Sequence, residues 1–175
     1  MPTPFSHAAV GFAIGAWTAP APPSTRACVA AAACAALPDI DVLWSSGLPH
    51  SSPFAHRALT HSVLFALCAA LAVAAIFFRN ERWQASPARM ALVLGLALLS
   101  HSFLDALSSY SLGIAFFAPF SEHRFRFPWT PLGRPAGMIV SQLMLESLLV
   151  FLPAALIAWL GWRIRSRRAV PASPA

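Results

Sequence analysis

The chain has 175 residues, of which 58% are hydrophobic and only 10% are charged, and its mean hydropathy is +0.65. A soluble domain carries roughly 25% charged residues, so this composition excludes an ordinary water-soluble domain, and its apolar content excludes a disordered chain. The net charge of +6 comes from Arg alone. Because these Arg residues flank apolar runs, they indicate contact with a lipid bilayer rather than with nucleic acid.

Five apolar segments follow one another along the chain and predict membrane helices. A bilayer core about 30 Å thick requires about 20 helical residues, and the last three segments approach that length. The first two are shorter, and Gly11 and Gly15 lower the helix propensity of the first, so these two either span the membrane or form a re-entrant pair. The segments cover residues 8–19, 27–37, 61–78, 90–107 and 137–162.

This pattern predicts an all-α fold, a polytopic transmembrane helical bundle with about four to five membrane segments. We expect a single membrane-embedded domain over residues 1–168 and a disordered tail over residues 169–175. The connections agree with this division. Residues 19–25 form a Pro-rich bend, because proline lacks an N–H and restricts the residue before it, and residues 108–134 form a long loop rich in Phe, Pro and Arg.

The arginines predict the orientation of the bundle. If the five segments alternate across the membrane, one side holds eight Arg and the other holds four. An excess of basic residues marks the cytoplasmic side, so we expect a multi-pass protein of the bacterial inner membrane with a cytoplasmic C-terminus. The eight are Arg26, Arg79, Arg82, Arg89, Arg163, Arg165, Arg167 and Arg168, and the four are Arg57, Arg124, Arg126 and Arg134.

The Asp and His residues collect at the predicted outer ends of the segments. All three Asp and five of the six His fall there. Ionisable groups at or within a membrane are costly and are candidates for function by default. The potential metal ligands in this set are His7, Asp39, Asp41, His56, His61, His101 and Asp105.

Local spacing indicates that several of these side chains converge. His101 and Asp105 are four residues apart, so a helix presents both on one face about one turn apart. Pro38 biases the preceding helix to end before it, which would leave Asp39 and Asp41 in an extended or turn segment pointing the same way.

The stretch around His56 and His61 fits the start of the third helix. We expect His56 just before this helix and His61 in its first turn, with Thr60 or Ser62 accepting hydrogen bonds from the free N–H groups there. Arg57, between them, is either an anchor at the membrane interface or a group that holds an anionic part of a substrate.

Each feature also has a structural explanation. His101 and Asp105 could form a hydrogen-bonded pair that joins two helices, and Asp39 and Asp41 could form a solvated turn at a helix end. Other polar residues also have structural interpretations. Arg124 and Arg126 could contact lipid headgroups or bind a substrate anion, and Glu146 with Gln142 could make interhelical hydrogen bonds.

Mixed imidazole and carboxylate ligands suit a divalent metal ion. Zn²⁺ and Mn²⁺ are the best candidates, Fe²⁺ is also compatible, and seven ligands would be enough for one or two ions. Such a site supports hydrolysis without a Ser or Cys nucleophile. The sequence contains no Gly-x-Ser-x-Gly motif and no Gly-rich phosphate loop.

The order of these motifs resembles the YdjM-like family of bacterial inner-membrane proteins, which are predicted membrane-bound metal-dependent hydrolases. The resemblance covers roughly residues 3–150 and rests on an early His7, Leu37-Pro38-Asp39-Ile40-Asp41, His56-Arg57-Ala58-Leu59-Thr60-His61-Ser62 and His101-Ser102-Phe103-Leu104-Asp105. It implies that the seven potential ligands form one polar site. The chain departs from the family pattern at Ala58, where the family usually has Gly, and around residues 110–113. A weaker similarity to zinc-dependent phospholipases C implies a phosphoester substrate.

Two functional hypotheses follow. The first is a metal-dependent hydrolase of an ester or phosphoester, with a lipid as one option, in which Asp41, His61 and Arg57 take part in catalysis. The second is a non-catalytic metal-binding scaffold, or a sensor or transporter of a divalent cation. The sequence leaves the oligomeric state open.

Overall fold

A computed structural model describes residues 2–19, 22–79, 86–109, 112–132 and 139–168. Within these residues the regular structure is helical, with one isolated antiparallel bridge between Ile114 and Phe125 and no strand. This confirms the prediction of an all-α fold. The helices are α1 (Pro4–Thr18), α2 (Thr25–Ala36), α3 (Val63–Phe77), α4 (Pro87–Ala106), α5 (Ile139–Glu146) and α6 (Leu152–Arg168).

Three further segments complete the helical structure. A π-helical turn, Ser147–Phe151, joins α5 to α6 without a break. Two 3₁₀ segments, Leu37–Leu43 and Leu59–His61, lie between α2 and α3. They take the place of the extended and first-turn conformations that the sequence predicted for this region.

Two helices are long and apolar enough to cross a membrane. They are α4, with 20 residues, and the continuous helix Ile139–Arg167, with 29 residues. The apolar α3 has only 15 residues, and α1 and α2 have 15 and 12, which is shorter than the roughly 20 residues that span a typical bilayer. Transmembrane helices are therefore plausible, while the full number of four to five spans stays a prediction.

Helices α1 and α2 form an antiparallel hairpin with unusually close backbones. A Cβ atom added at Gly11 would lie 2.5 Å from the carbonyl oxygen of Ala31 and 2.5 Å from Cβ of Ala35, and one added at Gly15 would lie 2.8 Å from Cα of Cys28. Only glycine leaves room for this approach. The packing brings the start of α1 beside the end of α2.

The main apolar core lies between α2, α3 and α4. Small residues of α3, among them Ala66 and Ala70, face larger side chains of α4 such as Leu94 and Leu98. Helix α6 packs mainly against α1. It belongs to the continuous helix Ile139–Arg167, and only 17% of the most apolar 18-residue stretch of that helix is buried. Helix α4 therefore occupies the centre of the bundle, and α6 lies at its edge.

Several predicted features fall outside the described residues. These are Arg82, Arg134, residues 20–21 of the Pro-rich bend, residues 110–111 and 133–134 of the long loop, residues 137–138 of the fifth segment and the tail 169–175. The cytoplasmic position of the C-terminus stays a prediction.

Candidate metal centre

The structure brings all seven potential ligands together at one end of the bundle. His7 lies in the first part of α1, and His101 and Asp105 lie in the last part of α4. The other four belong to the connection between α2 and α3. They are Asp39 and Asp41 in the first 3₁₀ segment, His56 in the following loop and His61 at the end of the second 3₁₀ segment.

Two local predictions differ in part from the structure. Asp39 and Asp41 were expected in an extended or turn segment, and they lie in a 3₁₀ helix that continues directly from α2 at Leu37. Both side chains approach His61, Asp39 at Nε2 and Asp41 at Nδ1. His61 lies before α3 rather than in its first turn. Ser62 is the N-cap, and its hydroxyl accepts a hydrogen bond from the N–H of Phe65.

A first group of side chains has ligand atoms within 4.8 Å of one another, and it consists of Asp39, His61, His101 and Asp105. The Nε2 atoms of His61 and His101 are 3.0 Å apart. Asp39 Oδ1 lies 3.4 Å from His101 Nε2 and 3.7 Å from His61 Nε2. Asp105 Oδ2 lies 3.7 Å from His61 Nε2. Three of the four residues are buried, and the side chain of Asp39 is 9% exposed.

The hydrogen bonds determine which imidazole nitrogens carry a proton. His101 Nδ1 lies 2.7 Å from the carbonyl oxygen of Ala35, and a carbonyl can only accept, so Nδ1 is the protonated nitrogen. The Thr60 hydroxyl donates its proton to Asp41 at 2.7 Å and therefore accepts from His61 Nδ1 at 3.0 Å. Both neutral rings thus direct a lone pair from Nε2 into the group.

Two lone pairs at 3.0 Å repel each other unless a cation lies between them. Burial lowers the pKa of His61, but its hydrogen bonds with the carboxylates of Asp105 and Asp39 outweigh this effect and raise the pKa to about 10, so these groups favour a cation between the two rings. A divalent metal can take the same place. With metal–ligand bonds of about 2.1 Å, tetrahedral ligands lie about 3.4 Å apart, which is close to the observed distances of 3.0, 3.4 and 3.7 Å.

His7 adds a fifth potential ligand, and a third imidazole, beside this group. Its ring is fully buried and stacks on His101 with the ring centroids 3.7 Å apart. Neither of its nitrogens has a hydrogen-bond partner among the described residues, and Nε2 lies 3.6 Å from Asp105 Oδ1. A buried imidazole without partners is costly, and a metal ion would remove that cost.

A second group, Asp41, His56 and His61, has a different character. Asp41 accepts hydrogen bonds from His56 Nδ1 at 2.6 Å, from Thr60 Oγ1 at 2.7 Å and from the backbone N–H of Arg57 at 3.2 Å. Although burial raises the pKa of Asp41, its hydrogen bonds with His56 and His61 lower it below the ordinary range. Both of its oxygens are thus already occupied by donors. His56 Nε2 has no partner among the described residues, and its side chain is 29% exposed.

Arg57 lies at the junction of the two groups. It is 5% exposed, and its Nε is 2.9 Å from Asp105 Oδ2. Its φ is +67°, a left-handed conformation that costs free energy for a residue other than glycine and often marks a functional site. Two hydrogen bonds hold this conformation. The backbone N–H of Arg57 donates to Asp41, and the backbone carbonyl of Arg57 accepts from the N–H of Ala115.

Arg124 and Arg126 do not join the ligand groups. Arg124 donates to the carbonyl oxygens of His50, His56 and Gly113, and so fastens two loops together. Arg126 is exposed at an apolar pocket lined by Phe103 and other phenylalanines. The alternative of substrate-anion binding by these two residues stays a prediction.

Glu146 makes interhelical hydrogen bonds, which the sequence analysis had proposed for it. Its Oε2 accepts from the N–H of Thr3 at 2.7 Å and from Ser6 Oγ at 2.9 Å, and its Oε1 accepts from Gln142 at 2.9 Å. Glu146 thus caps the N-terminus of α1, the helix that contains His7. The sequence did not identify these partners, because they are 143 and 140 residues away from Glu146 along the chain.

Comparisons with known proteins match the chain to inner membrane proteins. The profile of a family described as "YdjM inner membrane protein" matches residues 1–170. The chain is also 35% identical to the inner membrane protein YbcI of Escherichia coli (strain K12), over 94% of this chain and 100% of that protein. No solved structure matches the chain.

Proposed function

Because the chain belongs to the YdjM family of bacterial inner membrane proteins, we propose that it is a membrane-bound metal-dependent hydrolase. The proposed substrate is an ester or phosphoester, with a lipid as the favoured form, and the proposed location of the site is the outer face of the inner membrane. One observation supports this most strongly. The Nε2 atoms of His61 and His101 face each other at 3.0 Å beside two carboxylates.

Five side chains are the proposed ligands of the ion, four from the first group and one from α1. They are His7, Asp39, His61, His101 and Asp105. Zn²⁺ or Mn²⁺ fits this donor set. When bound, the ion supplies an acidic water and polarises the oxygen of the scissile group.

Asp41 and His56 have proposed roles beside the ion. Asp41 orients His61 through Thr60, whose hydroxyl donates to Asp41 and accepts from His61 Nδ1. A hydrogen bond to the distal nitrogen of a ligand imidazole fixes its tautomer and ring plane. His56 donates its Nδ1–H to Asp41 at 2.6 Å, which leaves Nε2 to accept a proton. With a partly exposed side chain, His56 is placed to act as a general base. A second metal ion held by Asp41, His56 and His61 is the competing arrangement.

Arg57 is the proposed contact for an anionic substrate group. Its buried guanidinium beside Asp105 offers charge-assisted hydrogen bonds to a phosphate.

Exposed apolar side chains next to Asp39 and Asp41 in the chain favour an amphiphilic substrate. Ile40, Leu43 and Trp44 are 42%, 82% and 46% exposed. Exposed aliphatic and Trp side chains beside a membrane helix suit the lipid interface.

Metal content and hydrolysis test this function together. Protein purified in detergent without chelator is loaded with Zn²⁺ or Mn²⁺ and measured by inductively coupled plasma mass spectrometry. It is then assayed against phosphatidylglycerol in mixed micelles and against a soluble chromogenic phosphoester. We expect one bound ion and faster cleavage of the lipid. A protein that binds metal but cleaves neither substrate would instead support the non-catalytic scaffold.

His56→Ala separates the general base from the second ion. If His56 is the base, the variant keeps one ion and loses at least 100-fold in hydrolysis, in the range of general-base catalysis. If the wild type holds two ions and His56→Ala holds one, His56 is a ligand and the general-base role is wrong.

The orientation and domain boundaries belong to this proposal as well. We expect residues 1–168 to act as one membrane unit with a cytoplasmic C-terminus. A C-terminal fusion to alkaline phosphatase, which is active only outside the cytoplasm, should be inactive, and a fusion to green fluorescent protein should fluoresce. The reverse pattern would place the C-terminus outside.

A further inference from the structure

A long groove lies between α1, α2 and α6, and none of the seven potential ligands lines it. Its volume is about 970 Å³. Short side chains such as Ala8, Ala32 and Ala155 leave space in it, and aromatic side chains such as Phe12 and Trp162 contribute apolar surface. The groove exists because α6 packs on α1 and makes few contacts with α2.

The C-terminal end of the groove is cationic. Arg163, Ser166 and Arg167 line it there, and both arginines are exposed. The guanidinium of Arg163 lies over the ring of Trp159, 5.1 Å from its centroid, which is the pairing of aromatic and basic side chains typical of a membrane interface. Among the described residues that line the groove, none is acidic.

We propose that this groove is a binding site for an anionic phospholipid of the leaflet next to the C-terminal end of α6. The acyl chain lies along the apolar part, and the phosphate lies between Arg163 and Arg167, where charge-assisted hydrogen bonds hold it. From Phe151 to Arg167 the helix rises about 24 Å. This exceeds half of a bilayer core about 30 Å thick, so the chain of a single-leaflet lipid fits within the groove.

A second copy of the chain suits this surface less well. In a two-fold dimer with its axis along the membrane normal, equal depths face each other. Such a dimer would bring two copies of Arg163 and Arg167 together at one level without an acidic residue from the described lining. A phosphate supplies the missing negative charge, and a dimer does not.

Lipid retention measured by native mass spectrometry tests the site. Detergent-purified protein is mixed with equal amounts of phosphatidylglycerol and phosphatidylcholine that have the same acyl chains. The variants are Arg163→Gln with Arg167→Gln, and Ala155→Phe, which fills the groove. The matched control is Arg89→Gln, since Arg89 is exposed at the start of α4 and does not line the groove.

We expect the wild type and Arg89→Gln to retain phosphatidylglycerol at least fivefold better than phosphatidylcholine. Removal of both arginines should lower phosphatidylglycerol retention about 25-fold, about fivefold for each Arg, and Ala155→Phe should lower the retention of both lipids. Equal retention of the two lipids by the wild type would overturn the proposal, as would an unchanged preference in the double Arg variant. A lipid-free dimer as the main species would assign the groove to a second copy instead.

Discussion

Asp39 and Asp41 stand two residues apart in one 3₁₀ segment, yet their surroundings differ. Neither oxygen of Asp39 has a hydrogen-bond partner among the described residues, and Oδ1 lies 3.4 Å from His101 Nε2. Both oxygens of Asp41 accept hydrogen bonds, one from His56 and the other from Thr60. The donors nearby, rather than the residue type, therefore decide which carboxylate is free to hold a cation and which orients its neighbours.

Removal of a proposed ligand should have the largest effect. We expect Asp39→Ala and His101→Ala each to lower metal affinity by more than about 100-fold, since loss of a ligand exceeds the 10–100-fold cost of losing an outer hydrogen-bonding partner. Competition with a chromogenic chelator measures the affinity. Glu122→Ala, which removes an exposed carboxylate, is the control and should bind as the wild type does. Wild-type affinity in either ligand variant would remove the first group as a metal site.

Substitution of the orienting carboxylate should have an intermediate effect. Asp41→Asn keeps the shape of the side chain but weakens its hold on His61 and His56. We expect the variant to keep its metal with an affinity about 10–100-fold lower. Complete loss of the ion, equal to that in Asp39→Ala, would make Asp41 a ligand and erase the difference between the two carboxylates.

The hydroxyl of Thr60 offers a finer test of the same contact. It donates to Asp41 and accepts from His61, so Thr60→Val removes both hydrogen bonds while Thr60→Ser preserves them. We expect Val to weaken metal binding about fivefold, the equivalent of one hydrogen bond of about 1 kcal/mol, and Ser to have little effect. Equal affinities of the two variants would mean that Thr60 does not fix the tautomer of His61.

Glu146 should affect stability more than metal affinity. It caps α1 from another helix and does not contact the ligand atoms. Glu146→Gln replaces charged acceptors by neutral ones, so we expect a loss of about 1 kcal/mol in stability and a change in metal affinity of less than about threefold, transmitted through His7. Thermal unfolding in detergent and the chelator competition check both values. An unchanged unfolding temperature would contradict the capping role.

Much of this arrangement could be predicted from local patterns. The end of α2 before Pro38 follows from the restriction that proline places on its predecessor. The shared face of His101 and Asp105 follows from the helical period. Their meeting with the other candidates follows from the alternation of helices, which placed all of them at one end of the bundle.

The different roles of the seven residues, as ligands or as groups that orient a ligand, could not be predicted in this way. These roles depend on contacts between distant segments. The carbonyl of Ala35 fixes the tautomer of His101, and the Thr60 hydroxyl donates its proton to Asp41. The cap of α1 by Glu146 is also a tertiary contact. Spacing within one segment carries no information about these partners, so the sequence placed all seven residues among the potential ligands.

Metal content of three proteins prepared side by side tests the central claim most directly. These are the wild type, Asp39→Ala and Asp41→Asn, each purified without chelator, loaded with an excess of Zn²⁺ and desalted before mass spectrometry. We expect one equivalent in the wild type, none in Asp39→Ala and a retained but more easily removed ion in Asp41→Asn. Metal lost from Asp41→Asn but kept in Asp39→Ala, or absent from all three, would contradict the assignment of the two carboxylates.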